Sequence, residues 1–201
     1  MGGIDLMSAV MSFVKNLFEN ETNILKKLKI QNMVIESTSR CNLQCEMCPR
    51  KSFKQIYGDF DINLFKRFST YFKENMVVNL AGWGEPLLHP RLIEMIQIAK
   101  KKGVIIGFTT NATLLDMEIS EKLIKSGLDF IDFSLDGATQ KTYEQIRRGA
   151  KFNEVINNIR NFIEIKNSLG KKALQTSITF VMMKQNINEL PLMVKLTKDL
   201  K

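Results

Sequence analysis

The sequence predicts an α/β protein built on parallel strands, and three observations carry that prediction. Short β-rich runs alternate with amphipathic runs from Met33 onward. Turn residues separate the two kinds of run, and each predicted strand ends in a loop bearing polar or sulfur-containing side chains. Strands joined by helical crossovers run parallel, and right-handed crossovers curl them into a barrel or a doubly wound sheet. Both architectures bind ligands at the rim that gathers the C-terminal ends of the strands.

The first predicted strand is Met33–Ser37, followed by a cysteine-bearing loop and a helix over Ile62–Phe72. The second strand, Met76–Ala81, leads into Gly82, Trp83, Gly84, Glu85 and Pro86. Pro90 suits the first turn of the next helix, Leu92, Ile93, Ile96 and Ala99 form its inner stripe, and Gly103 ends it. The third strand, Val104–Phe108, runs into Thr109, Thr110 and Asn111, and Asp116 caps the helix that Gly127 closes. The fourth strand, Asp129–Phe133, ends in Ser134, Leu135, Asp136 and Gly137. One long helical region then turns Val155, Ile156, Ile159, Phe162 and Ile163 inward and stops at Gly170. Leu174–Met182 is the fifth strand, and the last helix begins near Asn188. Five βα units result, preceded by a helical extension over residues 1 to about 31, with Phe13, Val14, Leu17 and Phe18 at helical spacing. The pattern stops after its fifth helix, which leaves a strand edge needing cover and leads us to expect an incomplete barrel.

Composition narrows the function. The chain has 201 residues, 44% hydrophobic and 25% charged, enough to bury one sizeable core, and it carries no low-complexity tract. No apolar run reaches the roughly 18 residues that a membrane span needs. The amino end lacks a basic start, and Asp5 interrupts its apolar stretch, so a cytoplasmic location is expected. The formal charge of +8 attracts anions, but the basic residues are dispersed and not interleaved with aromatics, so RNA is the weaker partner reading.

The informative oddity is a set of just three cysteines, Cys41, Cys45 and Cys48, in a chain with a single histidine, His89. An odd count argues against a disulfide framework, and three thiols this close more often share a metal. Thiolates suit soft metals. An iron-sulfur cubane held by three thiolates keeps one iron without a protein ligand. Structural zinc wants four ligands, and His89 is the residue that could complete that set.

Cys41-Asn42-Leu43-Gln44-Cys45-Glu46-Met47-Cys48-Pro49-Arg50 after the first strand, Gly84-Glu85-Pro86 after the second and Ser134-Leu135-Asp136-Gly137 after the fourth resemble the radical S-adenosylmethionine (radical SAM) enzymes. The likeness covers roughly residues 32–200 and is nearest in look to the SPASM and Twitch branch, with its peptide maturases and molybdenum-cofactor cyclase relatives. It implies a partial, six-unit βα barrel, here reduced to about five units, without the sixth unit or a C-terminal SPASM or Twitch domain. It also implies a 4Fe-4S cluster on Cys41, Cys45 and Cys48, with S-adenosylmethionine chelating the open iron. In the family the reduced cluster cleaves S-adenosylmethionine to a 5′-deoxyadenosyl radical, which takes a hydrogen atom from substrate.

The resemblance assigns further cofactor-binding positions. Met47 stands where relatives place an aromatic near the adenine, and Gly84 and Glu85 match the segment that receives the methionine ammonium, with Trp83 in place of the usual first glycine. Thr110, Asn111, Ser134 and Asp136 occupy strand ends that contact ribose hydroxyls or the methionine end. Arg147, in Ile146-Arg147-Arg148-Gly149, matches an arginine that approaches the cofactor carboxylate, and Arg148 competes for that role. The expected partners are a peptide or small-molecule substrate and a reductant such as flavodoxin or ferredoxin. Two other readings stay open: a zinc-stabilised module binding RNA or an acidic protein, and a truncated or degenerate core that holds a cluster without turnover.

Overall fold

Val, Ile and Phe runs bounded by turns become five parallel strands in a computed structural model, which describes residues 30–54 and 56–200. They are β1 (Asn32–Val34), β2 (Val77–Asn79), β3 (Ile105–Thr110), β4 (Phe130–Ser134) and β5 (Gln175–Thr179). The expected N-terminal helical extension falls outside the described residues, save at its boundary. The strand order is β1-β2-β3-β4-β5, every neighbouring pair parallel. A doubly wound sheet reverses direction at a switch point, whereas this order never does, so the sheet is a partial barrel.

Six α-helices among the described residues pack outside the sheet: α1 (Ile62–Phe68), α2 (Leu92–Lys100), α3 (Met117–Lys125), α4 (Gln140–Ile146), α5 (Phe152–Ser168) and α6 (Leu190–Asp199). Their starts follow local chemistry. Asp61 accepts from the Leu64 amide at 2.8 Å and Asp116 from the Ile119 amide at 2.7 Å, satisfying donors that a helix start leaves orphaned. Leu92, Met95, Ile96 and Ala99 are buried on one face of α2, the spacing of an amphipathic helix. Val78, Ile106, Phe108, Ile131 and Phe133 are almost wholly buried, and Phe133 meets Phe162 of α5 edge to face at 5.6 Å.

The structure corrects four sequence expectations. Strands β1, β2 and β5 are shorter than predicted, because residues 35–37, 80–81 and 180–182 at their C-terminal ends leave the strand ladder and turn into the rim loops. Helix α1 tightens into a 3-10 turn over Ser69–Tyr71. Pro90 precedes α2 rather than sitting in its first turn. The single long helical region is two helices, α4 and α5, broken where Gly149 takes a φ of +99° that an L side chain resists. That break frees the backbone of 146–148 for the cysteine loop.

Candidate active site

Cys41, Cys45 and Cys48 lie on the loop that leaves β1. Its backbone is clamped by the segment after α4: the Gln44 amide donates to the Arg148 carbonyl at 3.0 Å and the Glu46 amide to the Ile146 carbonyl at 2.8 Å. Lys51 donates to the Gln44 carbonyl at 2.9 Å, and the Cys48 amide donates to the Cys45 carbonyl at 3.2 Å, closing the loop's last turn. Cys45 is buried, and Cys41 and Cys48 are partly exposed. Burial pushes the Cys45 thiol up, and the Arg147 cation opposes it.

The loop after β2 is built against the segment that follows β1. An added Cβ at Gly84 would fall 1.8 Å from the Thr38 carbonyl oxygen, so only glycine fits this approach. The Trp83 and Gly84 amides both donate to Glu36 Oε1, at 2.6 and 3.2 Å, and the Glu85 amide donates to the Arg40 carbonyl at 2.7 Å. Glu85 is 2% exposed, and its carboxylate accepts from Thr110 Oγ1 at 2.6 Å, the Asn111 amide at 2.7 Å and the Leu87 amide at 3.2 Å. Burial raises the Glu85 carboxyl above its ordinary range, against those hydrogen bonds. Trp83 is half exposed and stacks in parallel on Phe53, centroids 5.6 Å apart.

On the other side, Arg147 donates from Nε to Asp136 Oδ2 at 2.6 Å, and its Nη2 lies 2.6 Å from the same oxygen. Burial works against the guanidinium charge, but the Asp136 carboxylate overrides it and holds Arg147 above its usual value. Asp136 Oδ1 accepts from the Val181 amide at 2.7 Å, and Asn186 Nδ2 donates to the carbonyls of Asp136 and Val181 at 3.0 and 2.8 Å. Arg148 faces outward, 3.8 Å from Glu46.

These loops enclose one cavity of about 280 Å³. It is lined by the three cysteines, Met47, Trp83, Gly84, Glu85, Thr110, Asn111, Ser134 and Arg147. Asp136, expected to contact cofactor, does not line it; fully buried, it stands behind Arg147 as the arginine's counter-ion. Glu36, Asn42, Thr113 and Asn186, which carry no role in the sequence analysis, also shape the site. A larger cavity of about 460 Å³ lies away from the cysteines, between α5, β5 and the end of α6, with Phe133, Ile159, Ile163 and Ile178 among its walls.

The donor set tests which metal group fits. A single zinc ion needs its ligands gathered around one point. Among the described residues, no three His, Cys, Asp or Glu side chains are so gathered. His89 cannot supply a fourth ligand without breaking backbone bonds, since Nε2 lies 3.1 Å from the Phe60 carbonyl and Nδ1 accepts from the Arg91 amide at 3.1 Å. A cubane asks for something else: one soft thiolate at each of three separate irons. Cys41, Cys45 and Cys48 all line one cavity, in company with Glu85, Thr110, Asn111 and Arg147, and three thiols with no fourth protein ligand are a donor set that fits that group.

A family model described as the radical SAM superfamily matches residues 35–197. The chain belongs to the radical SAM superfamily. It is 31% identical over 166 residues to the tungsten-containing aldehyde ferredoxin oxidoreductase cofactor-modifying protein of Pyrococcus furiosus, covering 79% of this chain and 46% of that protein. It is 29% identical over 177 residues to the probable GTP 3′,8-cyclase of Methanocaldococcus jannaschii, covering 86% of this chain and 56% of that protein. Streptococcus suis SuiB bound to its precursor peptide SuiA has the same fold, with a TM-score of 0.70 at 18% identity over 92% of this chain and 40% of that one. So does anSMEcpe with bound AdoMet, with a TM-score of 0.66 at 18% identity over 84% of this chain and 48% of that one. This radical SAM chain thus spans about half the length of the curated relatives it matches. Among the described residues, no helix is long and apolar enough to cross a membrane.

Proposed function

We propose that this radical SAM chain reductively cleaves S-adenosylmethionine at a 4Fe-4S cluster held by Cys41, Cys45 and Cys48, for hydrogen abstraction from a substrate. The observation that carries the reading is the single cavity into which the loops after β1, β2, β3 and β4 bring their motif residues. Cys41, Cys45 and Cys48 would hold the cluster, which when bound would supply the one-electron reduction of the sulfonium that this cleavage requires.

The chain's own groups bind and orient. Arg147, fixed as a cation by Asp136, receives the methionine carboxylate. Glu85 adds negative charge on the ammonium side, but its carboxylate is spent on Thr110, Asn111 and Leu87, so its main work is to hold the loops after β2 and β3 in register. Met47, whose thioether adapts to flat surfaces, packs against the adenine, and Ser134 offers its hydroxyl to the ribose. Trp83 on Phe53 screens the cavity from water.

The substrate is a peptide or a small molecule. The fold of peptide-bound SuiB supports the first, and the sequence likeness to a GTP cyclase supports the second. A low-potential one-electron donor such as flavodoxin or ferredoxin is the implied partner, and an oxygen-labile cluster suits the cytoplasm.

Anaerobic reconstitution with iron and sulfide, followed by dithionite and S-adenosylmethionine, tests the reading. We expect 5′-deoxyadenosine from the wild type and only background product from Cys41→Ala, Cys45→Ala or Cys48→Ala. A colourless protein that retains zinc in air would overturn it. Trp83 is the chain's single tryptophan and lines the cavity, so its emission should change as S-adenosylmethionine is titrated into the reconstituted protein. Unchanged emission under conditions where equilibrium dialysis detects binding would place the cofactor elsewhere.

A further inference from the structure

We propose that Asn111, locked in place by Asn42 and Thr113, aims an amide N–H at the Cys41 sulfur and thereby raises the reduction potential of the cluster. The inference rests on the cluster assignment above and adds to it a residue whose work is on the metal centre rather than on the ribose.

Every polar atom of the Asn111 side chain is committed. Oδ1 accepts from the Thr113 amide at 3.0 Å and from Thr113 Oγ1 at 2.7 Å. Nδ2 donates to Asn42 Oδ1 at 2.9 Å and approaches Cys41 Sγ at 3.9 Å. Asn42 Nδ2 in turn donates to Thr113 Oγ1 at 2.8 Å, which closes a ring through three side chains. The Asn111 amide also donates to Glu85 Oε2 at 2.7 Å, fixing the backbone beneath the ring.

This ring settles which way the Asn111 amide points. Turned over, its NH₂ would face the Thr113 N–H and its oxygen would face Asn42 Oδ1, setting donor against donor and acceptor against acceptor. With one N–H spent on Asn42 and both acceptor positions spent on Thr113, the remaining N–H has Cys41 as its partner. Ala112, between Asn111 and Thr113, sits at a φ of +58°, which a non-glycine residue holds only when its surroundings impose it. The turn is therefore shaped to present Asn111.

The effect on the metal follows from charge. Reduction places electron density on the sulfurs of an iron-sulfur centre, and hydrogen bonds to those sulfurs tune its potential. An N–H dipole beside Cys41 stabilises the electron-rich state, and Asn111 is only 4% exposed, so water does little to screen it.

Redox titration of the reconstituted full chain, followed by electron paramagnetic resonance without S-adenosylmethionine or substrate, is the test. Asn111→Ala should shift the midpoint potential to more negative values, and Asn111→Asp should shift it further by exchanging a donor for a negative charge. Thr113→Val should move it the same way by less. Variants that match wild type in circular dichroism and iron content, and also in potential, would overturn the proposal. Should the buried Asn111 variants fail to fold, Asn42→Ala and Thr113→Val decide, because Asn42 is exposed and Thr113 partly so; unchanged potentials in both overturn it. A wild type that takes up no cluster would defeat the parent reading instead, so the two failures are distinct.

Discussion

Asp136→Ala is expected to destabilise the folded chain by about 3–5 kcal/mol, the range for breaking a buried ion pair by removing one partner. Asp136 is fully buried and neutralises Arg147, whose side chain is 11% exposed. Its other oxygen holds the Val181 amide at 2.7 Å, so the substitution strands a cation and a backbone donor together. Asp136→Asn keeps an acceptor for Val181 but not the charge, and should fall between alanine and wild type. Denaturant unfolding measures the difference, and a loss under about 1 kcal/mol for alanine would show that the pair is solvated. Because Arg147 points into the cavity, either variant that still folds should bind S-adenosylmethionine more weakly.

Gly84→Ala should also be severe, through crowding rather than charge. The new methyl would lie 1.8 Å from the Thr38 carbonyl oxygen, 2.7 Å from its carbon and 2.8 Å from the Arg40 carbonyl oxygen, all backbone atoms unable to rotate away. Overpacking typically costs about 1–3 kcal/mol, and rigid neighbours put this case at about 3 kcal/mol or more. The displaced loop would carry Glu85 away from Thr110 and Asn111, so loss of S-adenosylmethionine cleavage should accompany the lower stability. Gly58→Ala, where nothing lies within 4 Å of the added carbon, is the control. Equal stability of the two variants would contradict the packing of the loop after β2 against the segment that follows β1.

The strands and their rim loops were legible in the sequence because alternation and turn punctuation act locally. The cysteine spacing was legible for the same reason: one loop holds all three thiols. The break between α4 and α5 was not, since the amphipathic pattern continues across Gly149 and gives no sign that 146–148 must turn toward Gln44 and Glu46. That Arg147 turns inward to Asp136 while Arg148 faces outward is visible only in the fold, because adjacent arginines read alike in sequence. The roles of Glu36 and Asn186 do not read from sequence, because the Trp83 and Gly84 amides and the Asp136 carbonyl that they bind come from distant parts of the chain. Asp136 stands just past the end of β4, where its place in the sequence puts it, yet its contact is with Arg147, a relation that spacing alone does not encode.

Cys41, Cys45 and Cys48 are proposed to hold a cubane whose fourth iron stays open to S-adenosylmethionine. Electron-nuclear double resonance on the reduced, reconstituted chain, with S-adenosylmethionine carrying ¹⁵N and ¹⁷O in its amino and carboxylate groups, tests it most directly. In the wild type, both nuclei should couple to the cluster signal. A cluster spectrum untouched by the labelled cofactor, or no cluster signal at all, would contradict it.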